Sequence, residues 1–104
     1  MIRRILEKLN SIKEKKTHKG FLNKNTLLKN ADSVFTHLTT QEKRKLYELS
    51  GEIDNGFAVE IGSFVGASAC FISAGLKKNS KVICIDTWEN DAMTEGKKDT
   101  KKEF

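Results

Sequence analysis

Residues 57–86 read FAVEIGSFVGASACFISAGLKKNSKVICID. Their grammar decides the fold. Phe57-Ala58-Val59-Glu60-Ile61 is short and rich in β-formers. Gly62-Ser63-Phe64-Val65-Gly66 breaks the run. Ala67 to Lys78 is small, apolar and long enough for a helix, and Lys77 and Lys78 sit where they suit the negative helix end. Asn79-Ser80 is a turn. Lys81-Val82-Ile83-Cys84-Ile85-Asp86 is a second buried-strand run that ends in an acid. Strand, turn, helix and strand in about 30 residues make one βαβ crossover unit, expected to be right-handed with parallel strands. The fold class is therefore α/β.

Upstream the pattern is helical. Ile2, Ile5, Leu6, Leu9 and Ile12 share one face of a helix over residues 2–16, with Gly20 as its stop. Arg3, Arg4, Lys8, Lys13, Lys15 and Lys16 lie mostly elsewhere. Such a helix packs on its own domain or another subunit, the ordinary fate of an amphipathic helix, or else lies on an anionic membrane surface or grips a partner. Leu27, Leu28, Ala31, Val34, Phe35 and Leu38 repeat the helical spacing, with Asn25 or Thr26 as cap. Thr39 and Glu42 form a capping box that opens a helix ending near Gly51. His37 falls between these helices and reads as structural, with no second ligand spaced for a metal. Residues 94–104 are polar and lysine-rich, expected as a frayed helix or disordered tail.

Composition bounds the class. The 104 residues are 38% hydrophobic and 32% charged, with a mean hydropathy of −0.50. No apolar run nears the roughly 20 residues that span a bilayer, and the N-terminus has no apolar signal core. Cys70 and Cys84 lack metal or redox spacing and sit in apolar runs, so they are expected as buried, reduced thiols in a cytoplasmic protein. The net charge of +5 is uneven: residues 1–30 carry nine Lys/Arg against two Glu, a local +7, and residues 31–104 carry ten against twelve, a local −2. A basic arm on a nearly neutral body is not expected to read nucleic acid, since residues 1–16 hold six cations and no aromatic residue, and no reader motif follows.

The chemistry lies between Glu60 and Asp86. In open α/β sheets, ligands bind beyond the carboxyl ends of the strands. Glycines there admit sharp bends and close approach, and amides opening the next helix receive a negative group. A strand-end acid accepts hydrogen bonds from ribose hydroxyls. The dinucleotide fingerprint GxGxxG is absent, because Phe64 takes the second glycine's place. Glu60 repels phosphates and suits a ligand with an ammonium and a sulfonium. S-adenosylmethionine has both, with a ribose for Asp86 and a carboxylate for the helix amides.

Val59 through Ser68 resembles the first motif of class I S-adenosylmethionine-dependent methyltransferases. Val82-Ile83-Cys84-Ile85-Asp86-Thr87-Trp88 looks like their second strand and its ribose-binding acid. With Asn90-Asp91-Ala92-Met93, the wording is most similar to a bacterial branch of small-molecule and sugar O-methyltransferases and cephalosporin-hydroxylase-like proteins. The resemblance covers residues 38–93, between a basic helical segment 1–37 and the tail 94–104. It implies that Glu60 holds the methionine end, that Gly62, Ser63 and Gly66 shape the loop beneath it, and that Phe64 walls the pocket. Ser68 would donate to the carboxylate, Asp86 would take the ribose, and Thr87 and Trp88 would border the adenine or the mouth.

The implied fold is an incomplete Rossmann-like β-α-β unit, part of a truncated doubly wound parallel sheet. The family's sheet has about seven strands, and as a single domain needs on the order of 150–200 residues. The residues that choose the acceptor and remove its proton are therefore expected from a complementing chain or a homo-oligomer, and the chain alone is expected to be inactive. Family chemistry would be in-line attack of an acceptor oxygen on the sulfonium methyl, driven by alignment. Asp91 and Glu95 read as solvated loop acids rather than a base.

Overall fold

The computed structural model describes residues 1–90 and 98–104. Asp91, Ala92, Met93 and Glu95, named above, lie outside the described residues. Among the described residues the chain is an α/β arrangement of four helices and a two-stranded parallel sheet. The helices are α1 (Ile2–Leu22), α2 (Thr26–Asp32), α3 (Thr40–Ser50) and α4 (Ala67–Gly75), and the strands are β1 (Phe57–Ile61) and β2 (Lys81–Ile85).

The strands pair in register from Phe57 opposite Lys81 to Ile61 opposite Ile85. The ladder runs one step further, since the Gly62 amide donates to the Ile85 carbonyl at 2.7 Å. Side chains alternate across the sheet. Ala58, Glu60, Val82 and Cys84 are half-buried, whereas Phe57, Val59, Ile61, Ile83 and Ile85 are exposed.

The core lies among the helices. Phe21 of α1, Leu28 and Ala31 of α2, and Phe71 of α4 form it, flanked by Leu46 and Tyr47 of α3 and by Ala74. Phe21 stands edge-on to Tyr47 at 5.2 Å and stacks on Phe71 at 6.3 Å. A Cβ on Gly75 would stand 2.1 Å from Ser50 Oγ and 2.3 Å from the Tyr47 carbonyl oxygen. Glycine is what lets α3 and α4 approach this closely.

A polar lock joins α1 to α2 and α3. His18 Nε2 lies 3.0 Å from Asp32, and Lys43 reaches the same carboxylate oxygen at 2.7 Å. Arg44 sits 3.4 Å from His18 Nδ1 and pairs with Glu14 at 2.6 Å. A guanidinium only donates, so His18 Nδ1 accepts and Nε2–H donates to Asp32. Burial pushes the Asp32 carboxyl up, but the hydrogen bonds from Lys43 and His18 outweigh it and leave it below its ordinary value.

The structure departs from the sequence spacing at several points. The first helix does not stop before Gly20 but runs through it to Leu22. The anchoring of His18 and Phe21 outweighs glycine's cost of about 1 kcal/mol. The second helix takes Asn25 as its cap, as expected, but ends at Asp32, leaving Val34, Phe35 and Leu38 outside it. Asp32 is committed to His18 and Lys43, and the Ser33 hydroxyl turns back to the Asn30 carbonyl. The Thr39–Glu42 capping box is present. The helix after the glycine loop ends at Gly75, so Lys77 and Lys78 lie beyond it. Cys70 is exposed and Cys84 is only partly buried, contrary to the buried-thiol expectation, because little covers that side of α4 and β2. The tail is ordered at its end: Thr100–Lys102 form one 3-10 turn, and Thr100 is fully buried.

Candidate functional site

The site is built at the carboxyl ends of β1 and β2, where two turns meet one carboxylate. Asp86 directly follows β2. One of its oxygens accepts the Phe64 amide at 2.7 Å, and the other accepts the Trp88 amide at 2.8 Å. The Phe64 amide first, then that of Trp88, hold the Asp86 carboxyl below its ordinary value.

Both donors have left-handed backbone, with φ of 52° at Phe64 and 66° at Trp88. Bulky residues adopt this region at a cost on the order of 1–2 kcal/mol each. The carboxylate offsets that cost by receiving both amides. Gly62 and Gly66, at φ of 83° and 96°, complete the bend after β1.

Two hollows flank this knot. One, of about 300 Å³, is bordered by Gly62, Ser63, Phe64 and Ser68 on the loop side and by His37 and Glu42 opposite. The other, of about 530 Å³, is bordered by Thr87, Trp88, Glu89, Lys98, Asp99 and Lys101. Asp86 ties a wall residue of the first to a wall residue of the second. A larger apolar hollow of about 730 Å³ lies along α2, α4 and β2 and is lined by both cysteines. Asp86 is not part of its wall.

The expected site residues do not all meet. Gly62, Ser63, Phe64 and Ser68 share the first hollow, and Thr87 and Trp88 share the second. Glu60 lines neither. Its side chain lies on the α4 side of the sheet and accepts the Ser68 hydroxyl. Its other oxygen, Oε1, is buried without a hydrogen-bond partner, as is Ser63 Oγ. Ser68 is thus committed to Glu60 rather than offered outward. Although Cys70 keeps contact with solvent, partial desolvation first, then the Glu60 carboxylate, push its thiol up, which disfavours the thiolate there. Gly66 opens α4 without a side-chain cap.

Sequence reading missed the closing element. Phe104 stands edge-on to Trp88 at 4.9 Å, and a Cβ on Gly66 would come within 2.9 Å of its ring. The Thr100 amide donates to the Trp88 carbonyl at 3.0 Å. Lys98 lies over the Phe64 ring at 5.4 Å. The available signal was that Phe104 is the one aromatic side chain in residues 94–104. Among the described residues, no three His, Cys, Asp or Glu side chains gather as a metal cluster. No helix among them is long and apolar enough to cross a membrane.

No protein-family model, curated protein or solved structure matches this chain. Its function is therefore read from the residues themselves.

Proposed function

We propose that the chain carries the S-adenosylmethionine-binding part of a class I methyltransferase, with a Rossmann-like β-α-β unit at its centre. The transfer would go to a small-molecule or sugar hydroxyl, with further catalytic elements supplied by a complementing chain or a second copy. One geometric fact supports this reading above the others. The glycine bend after β1 and the acid after β2 lie side by side at one sheet edge, joined by the Phe64–Asp86 hydrogen bond.

The donor set fits the cofactor. The Asp86 carboxylate accepts the Phe64 amide on one oxygen and the Trp88 amide on the other, with Thr87 beside it. A carboxylate only accepts hydrogen bonds, the role that a pair of ribose hydroxyls requires. The unpartnered Ser63 Oγ belongs to the wall of the first hollow and is the kind of hydroxyl a carboxylate requires, whereas Glu60 Oε1, on the α4 side, lies outside both hollows. When bound, S-adenosylmethionine supplies an electrophilic methyl group. Trp88 offers a flat wall for an adenine, with Thr87 beside it.

Titration calorimetry of the folded chain with S-adenosylmethionine and S-adenosylhomocysteine tests the reading. Saturable binding of both is expected, weakened about tenfold or more in Asp86→Ala, which loses charge-assisted hydrogen bonds. Absence of heat with either ligand at millimolar concentration removes it.

A further inference from the structure

The apolar stripe of α1 faces away from the rest of the chain. Its body contacts come from Glu14, which meets Thr40 and Arg44, from His18, which meets Asp32, and from Phe21 in the core. Ile5, Leu9 and Ile12 each lie nine positions before one of these three residues. Nine positions are about two and a half turns, so each stripe residue points opposite to a body contact. Ile2, Ile5, Leu6, Leu9 and Ile12 are accordingly between 50% and 76% exposed.

Charge selects the occupant. Six cations fall in the first sixteen residues, and the two acids of α1 are already paired, Glu7 with Arg3 at 3.1 Å and Glu14 with Arg44. Two copies meeting here would bring together segments of +7 each. Lys13 and Lys16 lie four positions after Leu9 and Ile12, on the stripe's own line, and are exposed. A protein seam would bury these ammonium groups at a desolvation cost. At a bilayer surface, long lysine stems lie along the apolar face and raise their heads to the phosphates. Hydrocarbon beneath anionic headgroups matches both features of α1.

We infer that α1 docks the chain, lying in the plane of the surface, on anionic phospholipid bilayers. This docking does not depend on the cofactor reading. Co-sedimentation of the full chain with vesicles tests it, using phosphatidylcholine alone and phosphatidylcholine with about 30% phosphatidylserine. Binding is expected only to the anionic vesicles, and it falls at least about tenfold between roughly 0.1 M and 0.5 M NaCl. Ile5→Asp with Leu9→Asp abolishes it, and their exposure leaves the fold intact by circular dichroism. Lys13→Gln with Lys16→Gln weakens it about 25-fold, at roughly fivefold per cation. The inference is overturned by no binding to anionic vesicles at low salt, by equal binding to neutral vesicles, or by binding that survives the Ile5/Leu9 pair. Light scattering that shows a dimer, dissociated by Leu9→Asp, also overturns it by placing a second copy on the stripe.

Discussion

The two faces of the β1–β2 sheet differ in what covers them far more than in what they are made of. Toward α4 lie Ala58, Glu60, Val82 and Cys84, and behind α4 sit α2 and α3 with the aromatic core. On the other face Phe57, Val59, Ile61, Ile83 and Ile85 stand exposed, Ile61 at 82%. The bare face holds the larger side chains. Parallel sheets ordinarily bury both faces, so apolar strands alone do not tell whether each face has a partner. Stability in this chain is therefore concentrated among the helices, and the strands serve chiefly to bring Gly62 and Asp86 to one edge.

A pair of truncations measures that contrast directly. Phe71 is fully buried, so Phe71→Ala should cost about 3–5 kcal/mol of unfolding free energy in urea titrations. Val59→Ala on the bare face should stay within about 0.5 kcal/mol, as exposed substitutions do. Comparable losses at both positions would mean that the bare face is covered in solution.

Next in size is Gly75→Ala. The added methyl meets the Tyr47 backbone and the Ser50 hydroxyl, and must push α3 from α4. Overpacking of this kind costs about 1–3 kcal/mol. A neutral result in thermal unfolding would show that the α3–α4 contact is looser than its geometry.

The contrast also explains what could be read from the sequence. The strands, the Thr39 capping box and the helix after the glycine loop were legible, because each rests on local spacing. The run to Asp86 placed both strand ends on one edge, and the structure joins them. Illegible were contacts between distant residues. Nothing local marks His18, Asp32 and Lys43 as one cluster, nor that α2 ends at Asp32, short of Val34, Phe35 and Leu38, which continue its apolar spacing. Phe64 and Trp88 also hid their backbone demand. A left-handed φ normally announces itself as glycine, but here Asp86 holds two aromatic residues in it. Ser68 read as a ligand donor because its Glu60 partner lies eight residues upstream across the turn.

At the sheet edge two glycines separate backbone strain from packing. Gly62 has nothing within 4 Å of an added Cβ, so Gly62→Ala should cost only the left-handed strain, about 1–2 kcal/mol. Gly66→Ala carries the same strain and also displaces the Phe104 ring. Its excess over Gly62→Ala, followed by unfolding and by Trp88 fluorescence, reports how firmly residues 98–104 close the edge. Equal costs would show that Phe104 moves aside freely, and Phe104→Ala should erase any excess.

The gentlest perturbation changes no residue. Asp32 is held low by Lys43 and His18 against the opposing effect of its burial, and Glu14 is held low by Thr40 and then Arg44. A carboxylate whose folded value lies below its unfolded value stabilises fully above the ordinary value near 4. That stabilisation is lost as pH falls through the folded value, because the unfolded chain takes up protons first. Both groups tie α1 to the helical side, whereas the bare face carries only apolar residues and Lys81. Between about pH 5 and pH 3, hydrogen-exchange protection of α1 and α2 should therefore fall before that of β1 and β2. If the strands lose protection first, the knot that Asp86 holds between Phe64 and Trp88 carries more of the fold than the helical lock does.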